Sequence, residues 1–312
     1  MRTLLSRGYR VVATGRNASK APPEAGAALT FIPADLANSE EVQRIAAGTG
    51  RIDAVVHSAA LSAPWGSKAA FHSANVVATA NMLSLARRKQ ARRFVHISTP
   101  SIYFRFQDQL DVRETEALPR PVNEYAATKR IAEELVAREA GLEAFVLRPR
   151  GLYGIGDTAL LPRLIRAARK RPLPLLRDGR AVTDVTHVDD AVEAIIVALK
   201  AARDAAGIYN ISGGAPLRLV DVIDRACVRS GFTARWRPTP VRAALAVARA
   251  MEWGCFCLPG RPEPPITAYG VGVLAFSQTM NVEAARRALG WSPRISFDEG
   301  LERTFGSAAV GG

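Results

Sequence analysis

The chain is poor in the residues that build metal centres and disulfide frameworks. Its 312 residues include three cysteines and four histidines. An odd count, with Cys255 and Cys257 as a C-x-C pair and Cys227 alone, gives neither a zinc-ligand spacing nor a disulfide scaffold, so no metal is expected. A reducing, cytoplasmic setting follows. Long apolar runs are also lacking. The most apolar late stretch, Val241 to Phe256, is interrupted by Arg242, Arg249 and Glu252, which excludes a membrane span there. The opening Met1-Arg-Thr-Leu-Leu-Ser-Arg-Gly8 has no signal-peptide core or cleavage site. Acidic residues are outnumbered, 29 against 42 basic ones, for a formal charge of +13. The basic residues nevertheless stand singly or in short groups, such as Arg87-Arg88-Lys89 and Arg169-Lys170-Arg171. Without aromatic interleaving or a recognition helix, nucleic-acid binding is not expected. Arg-rich codon usage accounts for much of the charge; attraction to anionic cofactors, acyl groups or a membrane surface is the functional alternative.

What is present is a large apolar fraction, 48%, enough for a sizeable core. Strand and helix signals alternate. Strands are expected at Tyr9 to Ala13, Leu29 to Pro33, Ala54 to His57, Phe94 to Ile97 and Ala144 to Leu147. Helices are expected from a Ser39 N-cap, over Ala70 to Lys89, and over Glu124 to Glu139. Short, nearly all-apolar strands are those of a parallel sheet covered on both faces. The alternation predicts a doubly wound α/β fold. Beyond Arg148-Pro149 the rhythm loosens. A basic helix at Leu161 to Lys170, a helix from Val188 to Ala201 and a strand at Ile208 to Ile211 remain legible. The expected division is a dinucleotide-binding unit over 1–150 and 187–213, with a smaller mixed α/β unit over 151–186 and 214–305.

The chemistry-bearing pattern is Tyr125-Ala-Ala-Thr-Lys129 after Ser98-Thr99. Tyr and Lys four apart share one helix face. A phenol titrates near pH ~10, and a neighbouring ammonium favours its phenolate. Tyr125 could then exchange a proton with a substrate oxygen that Thr99 hydrogen-bonds.

These residues, with Asp53-Ala-Val-Val-His57-Ser-Ala-Ala60, Asn75-Val-Val-Ala-Thr-Ala-Asn81, Leu147-Arg-Pro-Arg-Gly-Leu-Tyr-Gly154, His187-Val-Asp-Asp190 and Tyr209-Asn-Ile-Ser212, resemble the extended short-chain dehydrogenases. The branch is that of the epimerase/dehydratases and 3β-hydroxysteroid dehydrogenases, and within it the 2-alkyl-3-oxoalkanoate reductases are most similar. The resemblance implies a Rossmann-like sheet, an NAD(P) cofactor and a homodimer, with association to a membrane or other enzymes as a further expectation. It makes Thr99, Tyr125 and Lys129 catalytic, with Lys129 also binding the nicotinamide ribose. It assigns Asp35 and Leu36 to the adenine edge, Ala59 and Ala60 to close cofactor approach, Asn75 to bracing the site, and Pro149 to the nicotinamide. Arg16 stands after the second family strand where NAD-preferring folds carry an acid, so NADP(H) is favoured. The family's first strand and Gly-rich pyrophosphate turn have no counterpart here. About 15 residues, counting a ~5–6-residue strand, are expected to be missing through a misplaced translation start, leaving the sheet open at its centre.

An apolar or acyl ketone is the expected substrate, with Ser101 and Arg150 as substrate contacts and Arg150 as a candidate cation for a carboxylate. The apolar 241–258 segment is a candidate channel wall or lid. A nucleotide-sugar epimerase or dehydratase is the nearest rival. Such enzymes usually carry an Asn after Leu-Arg-Pro and an Arg before His-Val-Asp-Asp, where this chain has Arg150-Gly151 and Val182-Thr-Asp-Val-Thr186. A non-catalytic cofactor-binding or scaffold subunit is the rival of another class.

Overall fold

A computed structural model describes residues 1–20 and 28–306. Six parallel strands carry the fold: β1 (Val11–Gly15), β2 (Leu29–Pro33), β3 (Ala54–His57), β4 (Arg93–Ile97), β5 (Glu143–Pro149) and β6 (Gly207–Ile211). They make two sheets. β3-β4-β5-β6 pair side by side in sequence order, and β1 pairs with β2. No ladder joins β1 to β3 among the described residues, so the sheet is divided between those two strands.

Helices cover both faces. On one, α1 (Ser39–Ala47) and α2 (Ala78–Arg88) bury Val42, Ile45, Met82 and Leu85 against Val55, Phe94 and Val146. On the other, α4 (Val188–Lys200) sets Ala194 and Ala198 against Val95, Phe145 and Leu147. Between them in sequence lies α3 (Glu124–Ala137), which carries the Tyr/Lys pair. Phe94 and Phe145 are wholly buried, and each such ring contributes about 2 kcal/mol by area. This is a Rossmann-like, doubly wound α/β fold.

Caps differ in detail from the sequence expectation. Asn38, one residue before Ser39, accepts from Glu40 and Glu41 N–H and so caps α1. His187 caps α4 by accepting from Asp189 N–H, which frees Asp190 to bind the N–H groups of Arg294 and Ile295.

The smaller region gathers Tyr153, Leu161, Ile165, Leu219, Val222 and Phe297 into its own core. Residues 282–291 cross back to the main sheet, where Val282, Ala285 and Trp291 pack on Leu147 and Ile211. A small mixed sheet links the regions. Gln278–Met280 runs parallel to Gln109–Val112 and Val182–Thr183, and Leu217–Arg218 runs antiparallel to Val182–Thr183. No helix among the described residues is long and apolar enough to cross a membrane. α5 (Val241–Cys257) packs through Val241, Ala244, Leu245 and Ala248 against α6 (Ala268–Ala275), while Trp253 stays 72% exposed.

Candidate active site

The end of β4 supplies the first half of the site. Thr99 caps a short 3-10 turn over Pro100–Tyr103, its hydroxyl accepting from Ser101 N–H at 3.2 Å and lying 3.0 Å from Ser101 Oγ. α3 supplies the second half. Asn123 caps it by accepting from Ala126 N–H, which fixes Tyr125 one residue into the first turn. The hydroxyls of Ser62 and Thr99 lie near enough to the Tyr125 phenol to favour its charged form. Tyr125, Thr99 and Ser101 are thus brought together as the sequence pattern requires.

Lys129 behaves differently from expectation. It is 1% exposed, donates to Ile97 O at 2.6 Å and sits 3.0 Å from His96 Nε2. Its pKa falls from 10.5 to about 8, because burial disfavours the ammonium more than Glu133 supports it. Tyr125 is raised above its ordinary value by burial, which outweighs the opposing pull of the nearby Ser62 and Thr99 hydroxyls. The expected lowering of Tyr125 by Lys129 is therefore absent from this arrangement. The amine is turned to the β4 backbone, and the phenol is governed by desolvation.

A histidine pair lies beneath Lys129. His57 and His96 are opposite each other on β3 and β4, ring centroids 5.4 Å apart. Thr79 gives its one proton to Asn75 O, so His57 Nε2, 3.0 Å from Thr79 Oγ1, must be the donor of that pair. His96 Nε2 accepts from Lys129, which puts its proton on Nδ1, a buried atom without a partner. Burial and the Lys129 charge lower both imidazoles, His57 to about 3. Both are neutral at pH 7.

Asn75 braces the site from a π-helical turn, residues His72–Val77, set between two stretches of α-helix. Its amide oxygen accepts from Leu61 N–H at 2.7 Å, and its amide nitrogen donates to Leu61 O and to Thr128 Oγ1. It ties the loop after β3 to the Tyr/Lys helix. Wide turns of this kind are frequent at functional sites.

Several groups went unmarked by sequence reasoning. Ser62, in the loop after β3, reaches Tyr125. Tyr269 on α6 lies 2.8 Å, hydroxyl to hydroxyl, from Ser101. Nothing local to either residue marks it; only the fold joins them. Arg148 forms a buried bidentate pair with Glu133 and also donates to Tyr103 Oη, which makes it structural. Arg150 is 8% exposed and donates to Thr183 Oγ1 at 3.1 Å.

The family's pattern, the NAD dependent epimerase/dehydratase family, matches residues 1–212. The chain belongs to this family. A 2-alkyl-3-oxoalkanoate reductase of Stenotrophomonas maltophilia is 34% identical over 320 aligned residues, covering 99% of this chain and 95% of that protein. A 4-hydroxy-2-methyl-3-oxo-4-farnesyl-3,4-dihydroquinoline-1-oxide ketoreductase of Stigmatella aurantiaca is 34% identical over 282, covering 88% and 84%. MoeE5, solved with UDP-glucuronic acid and NAD, superposes with a TM-score of 0.74 over 97% of this chain and 92% of its own, at 24% identity, a likeness of fold alone. The epimerase/dehydratase chain is an NAD(P)-dependent oxidoreductase of the extended short-chain type.

The residues present fit a nicotinamide cofactor at its reactive end. Ala59 and Ala60 are exposed just beyond β3, and Pro149 is partly buried at the end of β5. Ser98 Oγ is buried without a partner at the end of β4. Arg16 and Asp35 lie exposed beyond β1 and β2. Asp35 Oδ1 accepts from Ala37 N–H, and Leu36 packs into the core, leaving its backbone rather than its side chain for ligand contact. No Gly-rich turn precedes a helix after a first strand among the described residues.

Proposed function

We propose that this protein is an NADP(H)-dependent ketoreductase acting on an apolar acyl ketone, a long-chain 2-alkyl-3-oxo acid or a steroid-like molecule of comparable bulk. The observation that carries the reading is the convergence of Thr99 and Tyr125 hydroxyls at the end of β4. A bound nicotinamide cofactor would supply the hydride for the carbonyl carbon. As negative charge develops on the carbonyl oxygen, Thr99 donates a hydrogen bond to it and Tyr125 gives up its proton to it. A phenol kept protonated by burial is suited to that donor role. Asn75 keeps the loop after β3 against α3, so the proton donor and the cofactor lip stay in register. Lys129 is held one turn from Tyr125, where its remaining N–H can serve a ribose hydroxyl.

Support for NADP(H) comes from Arg16, exposed after β1 with no acid at that position. Support for an apolar substrate comes from the names of the two relatives and from Arg150-Gly151 and 182–186, which lack the groups that hold a sugar-nucleotide diphosphate. A side-by-side assay of a β-keto acid, a 3β-hydroxysteroid and UDP-glucose tests the reading. NADPH-linked turnover of the keto acid or steroid is expected; preference for the sugar nucleotide would move the protein to the epimerases.

A further inference from the structure

The two faces of α5 differ in kind. Val241, Ala244, Leu245 and Ala248 turn inward and pack with α6. Glu252, the one acid of the helix, accepts from Ala268 N–H at 2.8 Å at the start of α6. The outward face follows the helical period: Arg242, Ala246, Arg249, Ala250, Trp253 and Phe256 are all exposed. It carries two cations and no acid. Its apolar weight lies at the C-terminal end, where Trp253 is 72% exposed, Phe256 53% and Leu258, just past the helix, 54%. Large apolar side chains grouped in solvent mark a surface that a partner covers.

A tight turn completes this tip. Arg261 N–H donates to Leu258 O at 3.1 Å, with Arg261 in the left-handed region at φ +46°, which is disfavoured for any residue but glycine. The turn brings the Arg261 guanidinium over the Phe256 ring, 4.2 Å from its centroid. Trp65 Nε1–H donates to Arg261 O at 2.9 Å. Trp65 belongs to the loop after β3 that Asn75 grips at Leu61, and α6 holds Tyr269 against Ser101. The aromatic tip is therefore built onto two segments that border the reacting centre.

Charge decides what fits this face. From Arg235 to Pro262 the chain has five arginines and a single acid, the engaged Glu252. The next acid, Glu263, is held by Arg163. A second copy docking about a two-fold axis would set Arg242, Arg249 and Arg261 against their own counterparts with no acid to receive them. A layer of anionic lipid headgroups is complementary instead. It takes the arginines while the apolar tip enters the acyl boundary, as interfacial helices do.

We propose that α5 and the Leu258–Arg261 turn form a docking surface for anionic lipid bilayers, with the helix in the headgroup plane and Trp253, Phe256 and Leu258 inserted. An apolar acyl ketone partitions into the same layer, so the docked protein meets its substrate at the tip; that last step alone rests on the ketoreductase reading.

The test is co-sedimentation of the 312-residue protein with vesicles of phosphatidylcholine alone and of phosphatidylcholine with about one-third phosphatidylglycerol. Tryptophan emission is read on the same samples, and turnover of a ketone is assayed in parallel. Anionic vesicles are expected to bind at least ~10-fold more tightly than neutral ones, with a blue shift, and binding should weaken as salt rises. Trp253→Ser/Phe256→Ser should lower affinity ~10- to 100-fold and remove the blue shift. Arg242→Gln/Arg249→Gln should lower it ~10-fold on anionic vesicles. Urea midpoints of both variants should stay near wild type, since all four side chains are exposed. Equal binding to both vesicle types, no binding to anionic vesicles, or binding unmoved by both variants would overturn the docking surface. Self-association that the same variants abolish would overturn it too, because the face would then belong to a second copy. Vesicle binding without ketone turnover would leave the docking surface standing and overturn the reductase reading.

Discussion

Two buried cations, Lys129 on α3 and Arg148 on β5 beside it, are treated in opposite ways. Arg148, 2% exposed, is met by both oxygens of Glu133 and by Tyr103, and its pKa is raised by them against the pull of burial. Lys129, 1% exposed, has a carbonyl and a neutral imidazole but no ion pair, and its pKa is lowered. The same helix provides Glu133 and Lys129 a turn apart. The fold thus had a carboxylate within one turn of Lys129 and gave it to Arg148. A charge whose surroundings are complete holds structure together; one left incomplete costs stability and is kept for a ligand or a reaction.

The largest effect expected is on turnover, at the group beside the incomplete cation. Tyr125→Phe keeps the ring but removes the proton, and should lower turnover ~10²–10⁴-fold while cofactor affinity, measured by fluorescence titration, stays close to wild type. Near-normal reduction of a ketone by this variant would remove Tyr125 from the chemistry. The next effect is on the completed cation. Glu133→Gln leaves Arg148 buried and unpaired, and should cost about 3–5 kcal/mol in urea unfolding. A loss below about 1 kcal/mol would place Arg148 in the class of exposed pairs.

Acid sharpens the contrast from below. His57 titrates at about 3 in the fold against 6.5 ordinarily, and His96 is lowered too. The unfolded chain therefore binds protons that the folded one refuses. Stability supplied by the neutral pair is present above pH 6.5 and is lost as pH falls toward 3. Urea midpoints measured from pH 7 to 4 should drop more steeply in wild type than in a His57→Gln/His96→Phe variant, and parallel slopes would show that the pair is not held neutral. The smallest effect is at the rim: Arg16→Asp should cut the NADPH-over-NADH preference by about tenfold, one charge-assisted contact, in paired KM measurements. An unchanged preference would take Arg16 out of the cofactor site.

Local pattern made part of this legible. The bounds of Leu29–Pro33, Ala54–His57 and Leu161–Lys170 agree with the sequence reading, because apolar runs and turn residues bracket them. The Tyr125/Lys129 spacing needs only a helix. The π-helical turn around Asn75 was not legible, since it depends on how Asn75 grips Leu61 and Thr128. The strand Gln109–Val112 was missed because its partner, Gln278–Met280, is remote in sequence. Tyr269 was missed for the same reason: it is 168 residues from Ser101. The surroundings of Lys129 were misjudged because residue spacing fixes which face a side chain occupies and leaves its end free to turn toward His96.

The claim that Lys129 is an incomplete charge retained for function is tested most directly by unfolding Lys129→Met and Arg148→Met beside wild type at pH 7 and at higher pH. The fold lowers Lys129 from 10.5 to about 8, so its ammonium costs up to about 3 kcal/mol at pH 7. That cost is full below pH 8 and fades as pH rises from 8 to 10.5, where the folded state sheds the proton first. Lys129→Met is predicted to be inactive yet more stable than wild type at pH 7, with the gain shrinking toward pH 10, while Arg148→Met loses stability at both. Destabilisation of Lys129→Met at pH 7 comparable to that of Arg148→Met would contradict the account.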